Sequence, residues 1–64
     1  MKPQPVEVWT GQLWRYGEWL RTVERGRKRG WYVVRLQKLV KGESGSWEWT
    51  WAERIVPADS VRPA

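Results

Sequence analysis

The number of tryptophans limits what this chain can fold into more than any other feature. Seven indoles (Trp9, Trp14, Trp19, Trp31, Trp47, Trp49 and Trp51) occur in 64 residues, with no Cys and no His. A chain of this length forms one domain and buries only about 60% of its unfolded surface. No disulfide or Cys-ligated zinc site can staple it, so large side chains must supply the stabilising mass. Each indole can bury roughly 150–250 Å². The same small interior must also take Val23, Val34, Leu36, Ile55 and Val61, so seven rings will not all fit. Some must lie at the surface or in an interface.

Local patterning points to strands. Two prolines within residues 1–5 predict an extended lead-in, followed by one domain over residues 6–64. Residues 6–10 read as a short strand and 11–17, with two glycines, as a long loop. Residues 18–25 read as a second strand, with Trp19 and Val23 on one side and Leu20 and Thr22 on the other. A helical period through Leu13, Tyr16, Leu20 and Val23 competes over 12–25, but Gly17 and the β-branched residues oppose it. Residues 26–30 form the clearest turn, with glycine at each end of three cations. Residues 31–40 are the strongest strand, being rich in β-branched and aromatic side chains. Residues 41–46 make another turn, and 47–56 a further strand. Residues 57–60 form a tight or 3-10 turn before a last strand at Val61-Arg62. Five short strands separated by frequent turns predict an all-β fold, closed into a small five-stranded barrel that leaves no edge exposed.

Three segments carry a resemblance to a known superfamily: Gly-Glu-Trp-Leu-Arg-Thr-Val (17–23), Gly-Trp-Tyr-Val-Val-Arg-Leu (30–36) and Ile-Val-Pro-Ala-Asp-Ser-Val-Arg-Pro (55–63). Their spacing resembles the SH3-like small β-barrels of the Tudor, KOW and retroviral-integrase C-terminal types. The resemblance covers about 45 residues and implies a strand after a long first loop, a central strand, and a short 3-10 turn leading into the final strand. Tudor domains usually follow the central strand with acidic residues and an aromatic, whereas this chain has Gln37-Lys38-Leu39. Reading of methylated lysine or arginine is therefore not implied.

Charge is unevenly distributed. The net charge is +5, yet residues 15–41 hold nine Lys/Arg against Glu18 and Glu24, a local +7. Residues 43–59 hold four acids against Arg54, a local −3. Such polarity produces an oriented electrostatic surface. Arg25, Arg27, Lys28 and Arg29 form the sharpest cluster, and Arg21 and Arg35 extend it along the flanking strands. Phosphate backbones attract such a cluster, and counterion release favours the contact. Arginine adds planar bidentate hydrogen bonding to phosphate or guanine. Trp31 follows the basic turn directly. If Tyr32, Val34 and Leu36 fill the core, then Trp31, Val33 and Arg35 form an outer face on which an indole can stack a base. The competing reading makes Trp31 a plug at the end of the barrel and the turn a solvated tip.

Trp47, Trp49 and Trp51 alternate along one strand and emerge on one face. One or two of them are expected in the core and at least one outside. With Trp14 and Tyr16 from the first loop, they are candidates for an aromatic groove that takes a peptide or protein partner. Catalysis lacks its usual parts. With neither His nor Cys, a nucleophile would rest on Ser, Thr, Lys or a carboxylate. Ser44, Ser46 and Ser60 sit in turns, while Glu48 and Glu53 fall on opposite faces of one strand. No metal cluster, phosphate-binding loop or cofactor motif is present, and no apolar run approaches a bilayer span of about 20 residues. The expectation is a cytoplasmic, non-enzymatic domain without cofactor or membrane contact. It binds DNA or RNA with little sequence preference. The second reading is a protein-interaction module, and the third a homo-oligomer with its surplus Trp at the subunit interface.

Overall fold

The computed structural model describes residues 2–64. Its elements are β1 (Gln4–Trp9), β2 (Trp14–Thr22), β3 (Tyr32–Lys41), β4 (Trp47–Val56), a 3-10 turn at Ala58–Ser60, and β5 (Val61–Pro63). All pairings are antiparallel, within one sheet of order β4-β3-β2-β1-β5. The all-β class, the five strands and the 3-10 turn before the last strand follow the expectation. Among the described residues the ladder does not close into a barrel, because β4 pairs only with β3, and β5 only with β1. Two boundaries also differ. β1 starts at Gln4, inside the expected lead-in, and β2 starts at Trp14, inside the expected loop.

Gly17 is the reason a strand can run through that supposed loop. It pairs with Val6 on one side and Leu36 on the other. A Cβ there would lie 2.5 Å from Leu36 Cδ2 and 2.7 Å from the Arg35 carbonyl oxygen. The glycine thus admits the Leu36 side chain against the backbone of β2. Gly17→Ala should destabilise the domain by about 1–3 kcal/mol through overpacking, a loss that a urea melt would measure.

The core lies on one face of the sheet. Val6, Val8, Val34 and Leu36 form its buried cluster, with Trp19, Tyr32, Val56 and Val61 packed around it. Trp19 and Tyr32 meet edge to face, with centroids 6.1 Å apart and an interplanar angle of 86°. A β-bulge between Trp19 and Arg21 sets which side chains of β2 point inward. One extra residue reverses the alternation. Trp19 and Thr22 therefore share the core-facing rungs of Val34 and Tyr32, and Arg21 takes an outer rung opposite Val33. The simple alternation expected for 18–25 fails at this point.

The β3–β4 register decides where the tryptophans go. Leu36 faces Ala52 and Tyr32 faces Val56, so the even-numbered residues of β4 take the core side. Trp47, Trp49, Trp51 and Ile55 fall on the outer side. They are 64%, 63%, 42% and 47% exposed. The expectations that one or two of these rings and Ile55 belong to the core are therefore corrected. β2 pairs with β3 no further than Leu36, so residues 37–41 and 47–51 continue as a two-stranded ribbon without a packing layer. The ribbon helps to stretch the molecule to 40 Å along its longest axis. Val33 is a further correction. It faces outward between Arg21 and Ile55 yet is buried, so it adds nothing to a wet face.

Candidate nucleic-acid interface

The β2–β3 connection is held by short-range backbone bonding. Gly30 N–H donates to Val23 O at 2.8 Å, and Val23 N–H donates to Trp31 O at 2.8 Å. Inside this closure, Arg29 N–H donates to Gly26 O and Trp31 N–H to Lys28 O, at 3.2 and 2.9 Å. Gly26 and Gly30 have φ of 89° and 87°, a left-handed conformation that side chains with a Cβ seldom adopt. The two glycines thus shape a loop whose tip consists of Arg27, Lys28 and Arg29.

All four clustered cations, Arg25, Arg27, Lys28 and Arg29, are exposed. Among the described residues, none of them is in an ion pair. Lys28 Nζ lies 5.1 Å from the centroid of the Trp31 ring, which is half-buried. Arg21 joins this end of the molecule from β2. It lines an open groove of about 660 Å³ with Trp19, Leu20, Thr22, Val23, Glu24 and Arg25. Six of the sequence candidates therefore gather at one end: Arg21, Arg25, Arg27, Lys28, Arg29 and Trp31.

Arg35 is placed elsewhere. Its Nε donates to Glu18 Oε1 at 2.6 Å, and its guanidinium lies over the Trp51 ring, 4.4 Å from the centroid. It is committed to a carboxylate and an indole rather than presented to a phosphate. Trp14, Tyr16, Trp47, Trp49 and Trp51 share the outer face of the sheet. Among the described residues, the ring–ring pairs are Trp9–Trp14 and Trp19–Tyr32. Trp47 lies at the far end of the ribbon, about 30 Å from the start of β3 at ~3.3 Å per residue.

A second cluster was not apparent from the sequence. Arg62 on β5 donates from Nε to Glu7 Oε1 at 2.8 Å and covers the Trp14 ring, 4.0 Å from its centroid. Trp14 in turn contacts Trp9 at 5.6 Å. Arg15 Nη2 donates to the Gln37 carbonyl at 2.8 Å, tying β2 to the base of the ribbon. Along the described residues, no group of three acidic side chains is arranged to hold a metal ion, and no helix is long and apolar enough to cross a membrane. Comparison of the chain with known protein families, with curated proteins and with solved structures finds no match.

Proposed function

We propose that this chain is a non-catalytic module that binds DNA or RNA with little sequence specificity, through the turn Arg25–Arg29 together with Arg21 and Trp31. One observation carries the reading: five of the ten Lys/Arg outside an ion pair among the described residues, Arg21, Arg25, Arg27, Lys28 and Arg29, gather at one end. Arg35 and Arg62 are each matched by a glutamate, whereas the four cations of the turn are exposed without an ion pair among the described residues. Trp47 and Trp49 lie out along the ribbon, whereas Trp31 directly adjoins the turn. Base stacking therefore falls to Trp31, whose ring already receives a cation from Lys28. The 3-10 turn leading into β5 supports an SH3-like architecture for the module.

Titration of labelled single-stranded and duplex oligonucleotides at two salt concentrations tests the reading. Binding should fall near 10⁻⁴–10⁻⁶ M, in order of magnitude, at moderate salt. About three or four phosphate contacts predict a loss between 50 and 200 mM salt of roughly 40- to 150-fold for duplex and roughly 20- to 50-fold for single strands. Salt-insensitive binding, or none at low salt, defeats the proposal. Trp31→Ala should lower single-strand affinity by about 1–3 kcal/mol, measured by fluorescence anisotropy. The same change should matter less for a duplex, whose bases are already stacked. The outer-face indoles favour a second reading, a protein-interaction surface, because exposed apolar patches of this kind mark contact sites.

A further inference from the structure

The two edges of the sheet are built differently. β5 is three residues long and ends in Pro63, which offers a neighbouring strand little to pair with. β4 has ten residues and contains no proline. It pairs with β3 without interruption from Tyr32↔Val56 to Lys41↔Trp47. Its other side has no strand beside it. A long, regular, aromatic edge is the kind that natural sheets normally shorten, bend or cover. β4 has neither proline nor bulge, and charge at Glu48, Glu53 and Arg54 is what guards it, so its unpaired backbone groups form a template for a strand whose charges complement these.

The sequence of β4 indicates which strand fits. We infer that β4 pairs antiparallel with β4 of a second copy, about a two-fold axis at Trp51. A continuous outer face requires each residue to oppose one of the same parity. Centred on Trp51, Glu48 faces Arg54 of the second copy, and symmetry provides that pair twice. Trp47 then faces Ile55 of the second copy, and the two Trp51 rings meet at the axis. Shifting the centre to Thr50 sets Glu48 against Ala52 and Trp47 against Glu53. Shifting it to Ala52 sets Glu48 against Val56 and Arg54 against Thr50. Each of the three registers sets one Trp against Glu53 of the second copy (Trp49 in the Trp51 register), and of the three only the Trp51 register pairs Glu48 with Arg54 and joins apolar to apolar at its ends. Glu48 and Arg54 are both exposed, and among the described residues neither is in an ion pair within the chain. The basic turn lies outside β4, so this association is independent of nucleic-acid binding.

Sedimentation velocity over a wide range of concentrations should show a monomer–dimer equilibrium for the unchanged chain. Glu48→Arg and Arg54→Glu should each weaken it by about tenfold or more, since each converts two attractive cross-strand pairs into two repulsive ones. Mixed in equal amounts, the two variants should form a mixed dimer. In this register, one E48R chain beside one R54E chain again sets opposite charges against each other at both pairs. A fluorophore on one variant would report the mixed species. A chain that stays monomeric at every concentration overturns the inference. So does a dimer indifferent to either substitution, or a mixture that fails to recover.

Discussion

Leu36→Ala is expected to leave most of this protein unfolded at 25 °C. Leu36 is 4% exposed and packs against the Gly17 backbone within the cluster of Val6, Val8 and Val34. Truncating a buried leucine costs about 2–5 kcal/mol. A single core in a domain of this size supplies only about 3–5 kcal/mol of net stability. The two ranges overlap, so one substitution can exhaust the margin. Far-UV circular dichroism during a urea titration would record the loss. Ile55→Ala provides the contrast. Ile55 has a similar volume but is half exposed on the outer face, and its loss should fall within about 0.5 kcal/mol. Equal effects at the two positions would contradict their difference in burial, and a larger loss at Ile55 would mean that the core lies on the other side of the sheet.

Reversing the charges of the turn tip should have the largest effect on binding. Arg27→Glu, Lys28→Glu and Arg29→Glu together change the net charge from +5 to −1, since three charges of +1 become −1. Nucleic-acid affinity at low salt should drop by about 100-fold or more, because attraction at the contact becomes repulsion. Stability should change little, as all three side chains are exposed. Lys41→Glu is the control. Lys41 is exposed at the far end of the ribbon, and a local binding surface predicts only a modest loss there. A comparable loss from Lys41→Glu would show that net charge alone drives the association. Fluorescence anisotropy with one oligonucleotide across the three proteins would distinguish these outcomes.

The features that were legible in the sequence are local. The bounds of β4 follow from its alternating Trp residues and those of β3 from its β-branched run, with a shift of one residue at each end of β3. The basic turn follows from two glycines around three cations, and the excess of indoles over interior space follows from counting. Other features depend on neighbours distant in sequence. Gly17 reads as a loop residue until Leu36 is seen against it. The bulge after Trp19 separates Trp19 and Arg21, which simple alternation keeps on one side. Alternation also shows that Trp47, Trp49 and Trp51 share a face. It cannot show that the pairing of Leu36 with Ala52 turns that face outward. Among the site residues, Arg25–Arg29 were legible because they are consecutive or nearly so. The Arg62–Glu7–Trp14 cluster was not, because β5 must first return to β1 across 55 residues.

That return has a kinetic consequence. Strands β1 to β4 each lie beside their sequence neighbour, so three hairpins can form early from nearby contacts. The pairing of Val6–Val8 with Val61–Pro63 must wait until those later residues are available. During synthesis, the outer flank of β1 stays open until residues 61–63 have left the ribosome. Only then does Val61 reach Val8 and cover the valine cluster. The nascent chain would pass through a half-covered stage in which chaperone binding and misassociation compete with completion of the sheet.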